Sequence, residues 1–93
     1  MRKVEQDKDE NLDWSFDYRG VLEGDTILSS TWALDPSSPT NINVTAPSES
    51  NGITTIWISG GTYGRFYKVT NEVTMTPSGR IFNRTLNIRI VEK

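Results

Sequence analysis

The chain of 93 residues contains neither histidine nor cysteine. Their absence removes the Ser-His and Cys-His nucleophile pairs and the common zinc ligand sets. Carboxylates remain for acid–base work. Asp13 and Asp17 lie four apart in Leu12-Asp13-Trp14-Ser15-Phe16-Asp17-Tyr18 and share one face of an extended strand. At strand rise they stand about 13 Å apart, too far for most two-carboxylate mechanisms. Glu23, Asp25 and Asp35 could offer oxygens to calcium. No Asp-x-Asp-x-Asp spacing frames them, so solvated loops are the better reading. No catalytic residue, metal or cofactor is expected. Asn43-Val44-Thr45 and Asn83-Arg84-Thr85 match the glycosylation sequon, which carries little weight without a secretory signal.

The aromatic residues point to binding instead. Trp14 and Trp32 fall in the apolar register of their segments and read as core. Trp57 opposes Ile56 and Ile58, so it is expected at the surface, as an interface residue or a ligand shelf. Tyr63 could join it as a stacking group. Tyr67 follows Gly61-Thr62-Tyr63-Gly64 and fits a structural tyrosine corner, in which the hydroxyl bonds backbone at the preceding turn; Tyr63 is the second candidate.

The elements that would carry these residues are strands. Leu12, Trp14, Phe16 and Tyr18 share one face of a first strand. Thr26 to Leu34 reads as a second, with Leu28, Trp32 and Leu34 on a common side. Residues 35–41 form a loop with two prolines, Ile42 and Val44 a short strand, and 46–52 another loop ending in the turn signal Asn51-Gly52. Ile53 to Ser59 is a further strand. A closing hairpin then runs from Thr62 to Thr76, turns at Pro77-Ser78-Gly79-Arg80 and returns to Val91. In its first arm Tyr67, Val69, Asn71, Val73 and Met75 share a face; in its second, Phe82, Arg84, Leu86, Ile88 and Ile90 do. No helical periodicity appears. The expected fold is all-β: a small immunoglobulin-like antiparallel β-sandwich over residues 12–93, preceded by a charged, flexible N-terminal arm over residues 1–11.

One domain of this size buries only roughly 60–65% of its unfolded surface, so its margin of stability is thin. The lack of cysteine fits assembly in a reducing compartment. The first ten residues have no apolar segment that would engage a secretion machine, and no run approaches the roughly 20 apolar residues of a membrane helix. Net charge is −2, unevenly spread. Residues 1–35 hold nine acids and four bases, whereas residues 65–93 hold six bases, from Arg65 to Lys93, and two acids. Folding could bring the two ends together and cancel them, or an acidic patch on one copy could meet a basic patch on the next. The bases are dispersed over two strands of an acidic chain, so neither nucleic acid nor membrane is expected as a partner.

Three stretches resemble a family of small bacteriophage proteins, the phage fibre-to-tail adaptors. They are Leu12 to Tyr18, then Ile56-Trp57-Ile58-Ser59-Gly60-Gly61-Thr62-Tyr63-Gly64, then Tyr67-Lys68-Val69-Thr70-Asn71 with Gly79-Arg80 and Arg84-Thr85-Leu86. The resemblance spans nearly the whole chain and departs over residues 35–52. It implies an immunoglobulin-like fold and a non-enzymatic structural role in the virion, near the tail or neck, after synthesis in the host cytoplasm. Other virion proteins are the implied partners, in multiple copies of a symmetric assembly. A capsid-decorating protein and a carbohydrate-binding module using Trp57 and Tyr63 are the alternatives. The candidate interface comprises Arg2, Lys3, Val4, Asp7 and Glu10 of the arm, with Trp57 and Tyr63.

Overall fold

Tyr67, Val69, Asn71, Val73 and Met75, every second residue of one run, are all completely buried in the computed structural model, which describes residues 2–92. The same period-two alternation organises the rest of the chain. Seven strands result: β1 (Arg2–Asp7), β2 (Asn11–Asp17), β3 (Thr26–Leu34), β4 (Ile42–Ser50), β5 (Ile53–Gly60), β6 (Phe66–Thr76) and β7 (Ile81–Val91). A single 3-10 turn, Arg19–Val21, is the only helical piece among the described residues. One sheet has the order β1-β7-β6-β3 and the other β2-β5-β4. All pairings are antiparallel except β1 with β7, which is parallel.

The inner faces of the two sheets enclose the core. Ile42, Ile56 and Ile58 of one sheet meet Tyr67, Val69, Leu86, Ile88 and Ile90 of the other. A second cluster, Tyr18, Val73 and Met75, closes the end where β6 turns into β7. The architecture is the expected all-β sandwich, with the predicted turn at residues 77–80 and the predicted tight turn at Asn51 and Gly52, both in the left-handed region at φ 52° and 87°.

Three expectations are corrected. Residues 2–7 of the predicted flexible arm are a strand in the main sheet, in register with Leu86–Val91. The cause is a polar side chain. Gln6 is fully buried; its amide nitrogen donates to the Ile58 carbonyl at 2.6 Å and the Glu10 carbonyl at 3.0 Å, and its oxygen accepts from Trp14 Nε1 at 2.8 Å. A segment too polar to collapse by hydropathy is thus held by satisfied buried hydrogen bonds.

Leu28 does not share a face with Trp32 and Leu34. The register shifts between Ile27 and Ser29, so the bulge turns Leu28 outward, 67% exposed, and Ile27 packs inward beside the Tyr18 cluster. The predicted loop over residues 46–52 is mostly strand. β4 runs on to Ser50 through a bulge at Ala46 (φ 52°) and Pro47, where the missing proline N–H costs no ladder bond on an edge.

Candidate interface surfaces

Trp57 stands near the middle of β5 and points away from the core, 37% exposed. Its cross-strand neighbours are Asp13 on β2 and Thr45 on β4. Around it this sheet's outer face carries small polar residues such as Ser15, Thr55 and Ser59, which leave the indole accessible. A lone tryptophan on a flat polar sheet is a surface suited to docking.

Tyr63 lies elsewhere, in the β5–β6 connection, with the Lys8 ammonium 5.5 Å from its ring centre. No ring contact joins Tyr63 to Trp57 among the described residues. The two aromatics therefore form no common stacking platform.

The five arm residues divide by the alternation of β1. Lys3 faces outward, and Arg2 and Val4 face the other sheet. Arg2 donates to the Ser15 carbonyl at 3.0 Å, with its guanidinium 5.5 Å above Trp14. Val4 packs against the core. Asp7 and Glu10 close the turn into β2: Glu10 Oε1 accepts the Asp7 N–H at 2.8 Å, and Asp7 Oδ1 accepts the Asp9 N–H at 2.8 Å. Arg2 and Lys3 are both exposed. Lys3 and Val4, with Glu5, Phe66, Asn87 and Arg89, line a shallow depression of about 620 Å³ on the larger sheet.

Phe66 is the surface residue the sequence reading missed. It is 56% exposed, and the Arg89 guanidinium lies 5.7 Å from its ring centre. The signal was present, because Tyr67 faces the core and its strand neighbour must face out. Ile81, 59% exposed, follows from Phe82 by the same rule.

The Tyr67 hydroxyl accepts the backbone N–H of Thr62 at 3.0 Å and donates to Asn41 Oδ1 at 2.7 Å. Asn41 in turn donates to the Thr62 hydroxyl, and its carbonyl accepts the Gly61 N–H at 3.1 Å. One buried phenol thereby ties two loops together. Tyr67→Phe is expected to lose about 1–2 kcal/mol of unfolding free energy in urea titrations, because Thr62 N–H and Asn41 lose their partner.

Folding also joins acids of the first third to bases of the last. Arg80 Nη2 lies 2.7 Å from Asp25 Oδ2 and donates to the Leu22 carbonyl at 2.8 Å; its Nη1 lies 3.4 Å from Glu23. Arg89 stands 4.0 Å from Glu5. Two of the bases of the last third, Arg80 and Arg89, are thus paired with acids of the first third within one molecule. Lys93, counted among the bases, lies outside the described residues.

Three carboxyls are held below their usual range. Hydrogen bonds from Arg19 lower Asp17 to about 2. Ser78, followed by Arg80, lowers the nearly buried Asp25, and Ser37 lowers Asp35. A folded pKa below the unfolded value stabilises the fold fully above the unfolded value, and the gain disappears as pH falls through the folded value. The melting temperature is therefore expected to hold steady down to about pH 5 and to fall progressively below about pH 4 in thermal scans. A melting temperature that rises below that pH would contradict the assignment.

No cluster of acids capable of holding a metal occurs among the described residues. No described helix is long and apolar enough to cross a membrane. Asp13 and Asp17 project from the outer face of β2 without converging on a cavity.

A search of the curated proteins returns no match. The sequence pattern of the family described as Podophage GP4 fiber-tail adaptor protein gp77 matches residues 6–89, nearly all of the sandwich, and the chain belongs to that family of phage structural adaptors.

Proposed function

We propose that the protein is a non-enzymatic virion component that joins a tail fibre, or a neighbouring ring of subunits, to the tail or neck. The observation that carries this reading is the family match over residues 6–89. The surfaces support it. The sandwich presents an aromatic anchor on each outer face, Trp57 on one sheet and Phe66 with Arg89 on the other. Exposed aromatics and arginines are the side chains that dominate protein–protein contacts. Two opposed docking faces are what a connector between two bodies requires. The protein is made in the host cytoplasm and enters the particle in several copies around the tail axis. Lys3 borders the Phe66 face.

Deleting the gene is expected to give tailed particles that lack fibres, with fibres restored when purified protein is added. Particles that retain their full set of fibres would sink the proposal. Trp57→Ala separates docking from folding. It is expected to change stability by less than about 1 kcal/mol, because the ring is partly solvated. It is expected to weaken docking about tenfold or more in binding to tail particles. Unchanged docking would remove Trp57 from the interface.

A further inference from the structure

The two sheets differ in the sign of their charge. The strands of the smaller sheet hold three acids, Asp13, Asp17 and Glu49, and no lysine or arginine. The strands of the larger sheet hold five bases against three acids, Glu5, Asp7 and Glu72. A face without any base of its own attracts positive charge.

The three acids of the smaller sheet are not equivalent. Asp17 is bonded by Arg19 at 2.7 Å, and Glu49 accepts the Gly52 N–H at 3.1 Å. Asp13 is exposed and has no hydrogen bond or ion pair among the described residues.

Asp13 stands directly across from Trp57 in the pairing of β2 with β5. Side chains at such positions leave the backbone about 4.5–5.5 Å apart and project from the same face. Beside them Ser15 and Thr55, joined hydroxyl to hydroxyl at 2.8 Å, form a fixed and low floor. An unpartnered carboxylate therefore lies next to an accessible indole. A guanidinium satisfies both groups at once, stacking on the ring while its N–H fork meets the carboxylate. An acidic group would meet Asp13 with like charge, and an apolar group alone would cover that carboxylate unpaired.

A second copy of the chain fits this face less well. Two copies meeting through their smaller sheets would set acid against acid. The outer face of the larger sheet would bring Glu5 and Glu72 with its bases, and its Arg89 already stands 4.0 Å from Glu5.

We propose that Asp13 and Trp57 together receive an arginine from a basic surface of the virion protein that this adaptor joins. The guanidinium lies over the Trp57 ring and pairs with Asp13, at the centre of a contact whose other bases face the acidic sheet. The inference rests on the adaptor reading and adds the residue pair and the charge of the partner.

Binding of the purified protein to tailed particles from the gene deletion tests it. Asp13→Asn, checked for an unchanged circular-dichroism spectrum, is expected to weaken docking at least about fivefold, and Asp13→Lys at least about fiftyfold. In a Trp57→Ala background the loss from Asp13→Asn is expected to shrink below about twofold, because both side chains hold the same group. Docking like the wild type by both Asp13 variants would overturn the inference and leave the adaptor reading standing. So would tighter docking by Asp13→Lys, which would mark the facing surface as acidic. Self-association of the protein alone in sedimentation, abolished by Asp13→Lys, would make a second copy the occupant and overturn it as well. Fully independent losses at Asp13 and Trp57 would refute the shared arginine. Failure of the wild-type protein to bind these particles would remove the adaptor reading and this site with it.

Discussion

Replacing Asn71 by leucine is expected to destabilise the protein by about 3–5 kcal/mol. Asn71 sits in the dry register of β6 with no exposure. Its Oδ1 accepts from the Tyr18 hydroxyl at 2.9 Å and from Thr54 Oγ1 at 2.7 Å. Its amide donates to Ser30 Oγ and to the Thr31 carbonyl, both at 2.9 Å. Both donors and both lone pairs of the amide are used. The side chain thus links β6 to β3 within its own sheet, to β5 of the other sheet, and to the segment after β2. Leucine fills a similar volume but leaves these partners without a bond, and each such buried group costs about 1–3 kcal/mol. Local rearrangement recovers part of that sum. A small domain has an unfolding free energy on the order of 5–10 kcal/mol, so the variant is expected to unfold at a much lower urea concentration. A loss below about 1 kcal/mol would mean the network contributes little beyond packing.

Gly61→Ala is expected to cost about 2–4 kcal/mol, from two sources. Gly61 has φ +93°, where an L side chain is strained. A Cβ there would also stand 2.7 Å from Ile90 Cγ1 and 3.2 Å from Tyr67 Cε1. Both neighbours are fully buried, so neither can swing aside without opening the core. The adjacent glycine is an internal control. Gly60 has φ +82°, but its Cβ would meet nothing nearer than Asn43 Nδ2 at 3.4 Å. Gly60→Ala is expected to show the backbone penalty alone, about 1–2 kcal/mol. Equal losses at the two positions, measured in parallel urea titrations, would contradict the steric part of the argument.

Gly61 and Asn71 also show why the fold was only partly legible in the sequence. The hairpin of β6 and β7 could be read residue by residue, because strict alternation leaves one consistent way to bury Tyr67, Val69, Leu86, Ile88 and Ile90. Asn71 falls in that dry register, yet alternation alone cannot name its four partners, which come from distant segments. Arg2–Asp7 was invisible as a strand for a related reason. It carries one aliphatic residue, and what anchors it is the buried amide of Gln6, whose acceptor at Ile58 lies 52 positions away. The bulge at Leu28 defeated the register because Thr, Ser and Leu offer no signal for an inserted residue.

The outer surfaces were less legible than the core. The exposure of Trp57 followed from its opposition to Ile56 and Ile58. Of the arm residues, Asp7 and Glu10 serve their own turn and Val4 the core, so a charged segment was mistaken for a free one.

A cryo-electron-microscopy reconstruction of the intact virion tests the central claim most directly. The account predicts density for this two-sheet sandwich between the tail or neck and a fibre, with its two outer faces turned toward different neighbours. Density for the chain confined to the capsid surface, or particles with no copy of it, would contradict the account.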